Sequence, residues 1–557
     1  MGPTTAPMAN NRRNNRWRYC GIRAQTSNLA NGIRLGTVHV FVFVGMIWSR
    51  PALSADPYDI TGVAADPAAS APLTERGGLH LKPRLFVRET YTDNVALAPG
   101  DQKKSDFITE IAPGFRLTDK TARTELDIDY SLNNLFYARD GDRNTLNHQL
   151  QALGKFELVE NLFFLDSQAQ ISQQAVSISG PIGADSSTND NNRTFRSYSI
   201  SPYLKKRFGR QATAEARYTF SQVSSNSQTS AISDSTGNRI SLGIESGPAF
   251  RDLGWGVNFI DDRIDYENFE DTKFQSFTGT GRYRINNRLF AIGSLGYDKN
   301  DYFTTGDKPE GATYSLGVDW RPSQRTSFTV SAGRRYFGTT YNLAFLHRTR
   351  RTAWDISYTQ DIQTSRSQFV VQPRELDRNE VEDTVRRENP TLSNDEIRQR
   401  ADERINLNRA GVNLQTNIVF LEKKLRGLVT LNLAKSEILL SAYDTVKDSE
   451  TTQSFSIFNN SGDFSLSRVI KQSGVGAHWN YRLTARNQAN IGLDLSKFRF
   501  VDIQRTDNTA AFNLGITRKL SREASGSLNY RYLQRDSNFG FGEYDENAIF
   551  GSITATF

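Results

Sequence analysis

From Leu79 onward, apolar and polar residues alternate with a period of two, which is the signature of strands with one apolar face. Leu126, Ile128, Tyr130 and Leu132 alternate with Glu125, Asp127, Asp129 and Ser131. Ala214, Ala216, Tyr218 and Phe220 alternate in the same way with Thr213, Glu215, Arg217 and Thr219. Further along, Phe277, Tyr283 and Ile285 alternate with Ser276, Arg282 and Arg284, and Leu528, Tyr530 and Tyr532 with Ser527, Asn529 and Arg531. Strands of about ten residues, apolar on one face and charged on the other, suit a barrel with lipid outside and water inside. Sandwich strands are shorter, about 5–6 residues, and rarely repeat a charged face so often. The expected fold is therefore all-β: a transmembrane antiparallel up-and-down β-barrel of about 22 strands. The regions around 249–270 and 442–473 are weakly patterned and leave that number open by about four, because each barrel-strand signal is weak.

The connections alternate in length. Short turns are expected at Asp119-Lys120, Glu160-Asn161, Gly209-Arg210, Asn286-Asn287, Pro322-Ser323, Arg350-Arg351, Glu422-Lys423-Lys424 and Ser521-Arg522. Longer polar loops lie between them at Thr92–Ser105, Ser177–Arg193, Ser224–Thr236 and Asp301–Gly311. Short turns on the periplasmic side and long loops outside would orient such a barrel. Residues Pro373–Asn406 break the rhythm and read as two charged helices, roughly Leu376–Glu388 and a second capped by Ser393. Strand parity puts this insertion outside the cell or folded into the lumen, where it would plug or gate a pore.

The N-terminus is of a different kind. Six arginines from Arg12 to Arg34 precede an apolar run of 14 residues, Leu35–Trp48, and the small residues Ala52–Ala55. That order reads as a secretory signal over 1–55, cut near Ser54 or Ala55, followed by a linker at 56–77 and the barrel over 78–557. The run is short of the roughly 20 residues of a spanning helix. Residues 1–55 hold seven Arg and no Lys, Asp or Glu, so +7 minus 7 leaves the rest at zero formal charge. The sequence pI of about 9.2 is thus no sign of nucleic acid. Cys20, the single cysteine, leaves with the signal, which excludes thiolate metal sites and Cys-attached haem from the exported chain.

Candidate chemistry is sparse. His80, His148, His347 and His478 lack metal-ligand spacing, and no Ser/His/Asp group is definable, so neither enzyme nor cofactor is expected. Asp93-Asn94 reads as turn chemistry in preference to a calcium site. The candidate lumen-lining set is Arg84, Arg88, Arg196, Arg217, Arg282, Arg284 and Arg531 with Glu125, Asp127, Asp129 and Glu215. Two readings compete for it: cross-strand ion pairs that stiffen a wide barrel, and a polar conduit for a hydrated solute. A basic periplasmic rim is expected from Lys205, Lys206, Arg207, Arg210, Arg288, Arg321, Arg325, Arg350, Arg351, Lys423, Lys424 and Arg522. It would meet either anionic headgroups or an acidic partner.

Several runs resemble the outer-membrane β-barrel family associated with PEP-CTERM/exosortase and exopolysaccharide gene clusters. They are Arg88–Val95, Ser105–Ile108 with Pro113-Gly114, Gly333–Gly338, and Tyr358–Asp361 leading to Thr364–Arg366. The resemblance implies a cell outer-membrane pore for exopolysaccharide or another polar solute, working beside a periplasmic polysaccharide-export protein. The alternative class is a non-conducting barrel: an adhesin, an assembly scaffold or a sheath around an electron carrier. The last segment alternates through Ile549, Gly551, Ile553 and Ala555 to Phe557. A final strand ending in Phe resembles the signal read by the barrel assembly machinery. Replacing Phe557 with Asp should lower the folded barrel in the outer-membrane fraction severalfold and leave degradation products. Unchanged levels on immunoblots would remove Phe557 from that role.

Overall fold

The computed structural model describes residues 78–557 apart from 185, 190, 227–233, 305–307, 371–415, 451–461 and 540–541; within 371–415, Val385, Ile397 and Ala401 are described. The expected signal and linker lie outside the described residues. So does most of the expected insertion, although Val385, Ile397 and Ala401 are helical and buried.

The strands are β1 (His80–Thr92), β2 (Asp106–Lys120), β3 (Thr124–Tyr137), β4 (Thr145–Val159), β5 (Phe163–Ala175) and β6 (Asn192–Phe208). They continue with β7 (Ala212–Ser225), β8 (Ser235–Ser246), β9 (Leu253–Tyr266), β10 (Thr272–Asn286), β11 (Leu289–Asp301) and β12 (Glu310–Ser323). Next come β13 (Thr326–Arg335), β14 (Gly338–Arg348) and β15 (Thr352–Gln363), then the short helix α1 (Ser365–Phe369) and β16 (Phe420–Asn432). The chain ends with β17 (Ser436–Ser449), β18 (Val469–Arg482), β19 (Asn487–Phe500), β20 (Arg505–Lys519), β21 (Ala524–Ser537) and β22 (Tyr544–Thr556). Each strand pairs antiparallel with the next. β22 pairs antiparallel with β1 from Arg84↔Thr556 to Thr92↔Ala548, closing a 22-stranded barrel. The weakly patterned regions are β9 and the β17–β18 hairpin. No helix among the described residues is long and apolar enough to cross a membrane.

Register assigns every side chain to one of two faces. Outward positions carry Leu85, Val87, Leu242, Phe277, Leu295, Leu316, Leu528 and Ile553, all exposed although strongly apolar. All four tryptophans of the described residues (Trp255, Trp320, Trp354 and Trp479) face outward two or three residues from the short-turn end of their strands. Tyr91, Phe107, Phe136, Tyr297 and Tyr314 face outward in the long-loop half. An apolar band between two aromatic girdles on a cylinder with a polar interior is the pattern of a membrane-spanning barrel.

Three expectations need correction. Glu422, Lys423 and Lys424 are not a turn but the interior of β16; the turn follows at 433–435. Glu422 and Lys424 face the lumen while Leu421, Lys423 and Leu425 face outward, so three charges in a row hid a strand whose polar face they partly supply. Lys423 and Lys424 therefore leave the short-turn rim. Arg196 shares its face with Tyr198 and Ile200 and points out of the barrel near the loop end, not into the lumen. The turns expected at Asp119-Lys120 and Pro322-Ser323 fall slightly later, because those residues end β2 and β12.

A sheet with no free edge resists detergent, so the protein should migrate faster on unboiled than on boiled gels. Identical mobility in both states would argue against closure in the membrane.

Candidate conduit and its capped mouth

The inward positions form one continuous polar wall, and most of its charges are neutralised by neighbours. Arg84 on β1 reaches over β2 to Asp129 on β3 (2.6 Å), and Arg88 pairs with Glu110 (2.5 Å). Arg116, which the sequence reading missed, takes Asp127 in a bidentate pair. Lys155 stands 3.8 Å from Glu125. On β5–β7, Arg217 bridges Asp166 (2.7 Å) and Glu215 (3.0 Å) and lies 3.6 Å over the Tyr203 ring. On β10–β12, Arg282 reaches Asp319 (2.9 Å) and covers Phe290. Arg284 pairs with Asp252 at the short-turn rim and Arg531 with Glu546 on β22 (2.9 Å). The expected lumen residues other than Arg196 thus face inward, each within an ion pair. Arg84–Asp129, Arg217–Asp166 and Arg282–Asp319 reach over an intervening strand, and most of the rest join adjacent strands, so the pairs act as cross-strand fasteners. The partners of those three were hard to foresee, because a pair two strands apart leaves no fixed sequence spacing.

At the loop end chain folds inward, and part of it is a loop for which the sequence raised no such expectation. The loop after β5 leaves the wall at Val176 and crosses to strands on the other side of the β1–β22 seam. Arg535 on β21 is fully buried; it donates to the carbonyls of Ile178 (2.8 Å) and Gly180 and pairs with Asp507 of β20. Arg505 donates to Ser179 O (2.8 Å) and also pairs with Asp507. Tyr544 Oη donates to Ile182 O (2.9 Å). From the β17–β18 connection, buried Asp463 accepts Ile178 N (2.8 Å), Ser179 N (3.2 Å) and Ser177 Oγ (2.5 Å). Tyr137 on β3 donates to Ser186 O (3.0 Å), and Thr188 N to Val95 O (2.9 Å), so the return leg is tied as well. Under these polar ties lies an apolar core of Ile178, Ile418, Phe420, Phe464, Ile470, Phe498 and Phe500. Buried inside a water-facing mouth, that core holds the cap by the same apolar burial that holds a soluble domain.

A second segment crosses too. Seven places separate β15 from β8 around the ring, yet Arg366 of α1 spans that gap. Its guanidinium donates to the carbonyl and hydroxyl of Ser235 (2.8 and 2.7 Å) and of Ser221 (2.6 and 2.7 Å). Burial pushes Arg366 below its ordinary pKa, against the pull of Tyr266, Asp262 and Asp265. A Cβ at Gly237 would sit 2.7 Å from Nη2, so a larger residue there would push the guanidinium off its present position. Val370 packs on Phe195 and Val223 of β6 and β7. The family-like runs now have positions: Thr92 holds Glu546, Asp93 holds Asn547, and Arg335 joins Asp298 to Asp361. Thr364–Arg366 starts the crossing. These residues fasten the mouth, while Pro113-Gly114 lies within β2; Asp93-Asn94 is turn chemistry, with Asn94 bound to Ala98 and Asp545.

The histidines are dispersed. His148 and His347 face outward against Tyr130 and Thr326, while His478 faces the lumen 3.0 Å from Asp494. Among the described residues no group of three or more potential ligands is arranged to hold a metal ion.

Comparison with known families matches residues 456–557, which carry β18–β22, to the family described as "Putative beta-barrel porin 2". No curated protein matches the chain. Among solved structures it is similar to the siderophore receptor PirA from Pseudomonas aeruginosa, with 11% identity over 87% of this chain and 82% of that one, at a TM-score of 0.43. It is also similar to OccK2 (OpdF) of the same organism, with 8% identity over 86% of this chain and 98% of that one, at a TM-score of 0.33. A BenF-like porin from Pseudomonas fluorescens Pf-5 aligns with 9% identity over 86% and 99%, at 0.34.

Replacing Arg535 with Ala should release the carbonyls of Ile178 and Gly180 and cost the cap about 2 kcal/mol, roughly a thirtyfold rise in its open population. Protease added to intact cells should then nick the 176–191 loop faster while the barrel stays heat-modifiable. Equal nicking of both proteins would show that the latch does not hold the cap.

Proposed function

We propose that this chain is an outer-membrane pore for a hydrated polar solute, exported by its 1–55 leader and capped on the cell-surface side. The observation that carries this reading is the polar wall around the whole circumference of a cylinder whose outside is apolar. A barrel of about 22 strands is wide enough to need a plug, and the inward-folded loops meet that need. Short turns at the end where β1 begins and β22 finishes support a periplasmic position for that end. There Lys205, Arg207, Arg210, Arg288, Arg325, Arg350, Arg351 and Arg522 offer a basic ring. We assign it to headgroup contact and to the docking of a periplasmic export protein.

Exopolysaccharide is the solute implied by the family-like runs. The helical, buried Val385, Ile397 and Ala401 favour an insertion at 373–406 that belongs to the cap and gates the pore. The cap's buried apolar core favours a second reading, a permanently closed structural or adhesive barrel. Planar-bilayer recording separates the two. The gated pore predicts small, infrequent conductance in the wild type and at least about a tenfold gain in channel activity when residues 376–405 are replaced by a short Gly/Ser linker; a tenfold shift in open population needs only about 1.4 kcal/mol. Bulky antibiotics should also enter cells carrying the deletion. A correctly assembled deletion with wild-type conductance and sensitivity would reject gating by this segment. Absence of conductance after the 178–187 loop is shortened as well would favour the closed barrel.

A further inference from the structure

The lumen wall is not uniform. Between the Lys155 and Asp166 level and Arg193, the inward positions of β4, β5 and β6 carry no charge. Five of them are glutamines: Gln149 and Gln151 on β4, and Gln168, Gln170 and Gln174 on β5. All five are at least partly exposed. Gln151 stands opposite Gln170, and both Gln170 and Gln174 reach the hydroxyl of Ser172. Ser199 continues the surface on β6, with Ser197 and Ser201 buried beside it. On the β3 side it runs through Asn147 and Asn133 into a cavity of about 220 Å³, beneath Ser186 of the cap, with Phe86 in its lining. Near the short-turn end, Phe164 stacks on Tyr203 with ring centroids 5.1 Å apart, and Arg217 covers the Tyr203 ring at 3.6 Å, so the ring left for a sugar is that of Phe164. The charges beside this strip are engaged with each other: Asp129 with Arg84, Asp166 with Arg217, and, in the cavity's own lining, Arg88 with Glu110.

We propose that this amide and hydroxyl strip is the contact track for an uncharged oligosaccharide segment, from the Phe164–Tyr203 pair up to the cavity under the cap. The inference rests on the pore reading above and specifies the wall and the charge state of the solute. Amides and hydroxyls both donate and accept, as sugar hydroxyls do, so a chain can exchange partners from one step to the next. Movement through a conduit needs many weak sites, and neutral hydrogen bonds supply them where ionic ones would hold too firmly. An aromatic face beside such a strip packs against the apolar C–H face of a sugar ring.

The test records ion current through the full-length barrel and its 178–187-shortened form in planar bilayers. Maltoheptaose, or an anionic oligogalacturonate of equal length, is added on the short-turn side. The track predicts transient current block by maltoheptaose and block at least about tenfold weaker by the anion, the scale of one or two lost hydrogen bonds. Gln151→Leu combined with Gln170→Leu should weaken maltoheptaose block by about tenfold, with ion conductance kept. Asn513→Ala, on the β20 wall outside the strip, should leave the block unchanged. Heat-modifiability confirms that each variant is folded. Ion current without sugar block, or block that ignores the glutamine changes, or equal block by both sugars, overturns the track while the pore stands. No ion current in either form overturns the pore and the track together.

Discussion

Everything in this molecule depends on the hydrogen bonding of its last strand to its first. β22 runs antiparallel to β1 over nine residue pairs, and Phe557 N still donates to Pro83 O at 2.9 Å beyond the last of them. Without that seam the sheet would present two edges of unpaired amides to hydrocarbon, where each unsatisfied group costs several kcal/mol. With it, the two faces of a period-two sequence become an outside and an inside. The apolar face then needs no protein partner, which is why Leu295 and Leu316 are exposed without forming a core.

The seam also sets the problem that the interior solves. A ring this wide cannot fill its lumen with wall side chains, so charge pairing along the wall and chain folded into the mouth share the work. Some of the pairs reach over an intervening strand, as from Arg84 to Asp129 and from Arg335 to both Asp298 and Asp361, and so tie three strands at a time. At the mouth the same chemistry changes target. Arg505, Arg535 and Arg366 spend their donors on backbone carbonyls of crossing or opposing segments, which fixes a loop by its main chain.

How much of this could be read from the residues follows from the physics of each part. Alternation is a local signal, so the barrel, its 22 strands and most short turns were legible. Where charge ran unbroken, at Glu422-Lys423-Lys424, the alternation was masked and a strand interior passed for a turn. Arg196 failed for a related reason: near a strand end, charge does not report the face, because an outward arginine there reaches headgroup level. The cap was illegible because its contacts lie hundreds of residues apart. Ile178 and Ile182 in a polar loop were its visible traces, apolar residues where solvent was expected. The family-like runs were visible as patterns, but their work as mouth fasteners needed the register of β1 against β22 to emerge.

The central claim is a wide polar lumen whose outer mouth is closed by chain held as firmly as the wall. Hydrogen exchange on the wild-type protein in outer-membrane vesicles tests it most directly, because a latched loop and a solvated one differ in amide protection even when both are invisible to proteases. The account predicts that the amides of Ile178, Ser179 and Ile182 exchange as slowly as those of the neighbouring strands, and that Thr188 follows them. Exchange of the 177–188 segment at the rate of a free loop, beside protected strands, would contradict it.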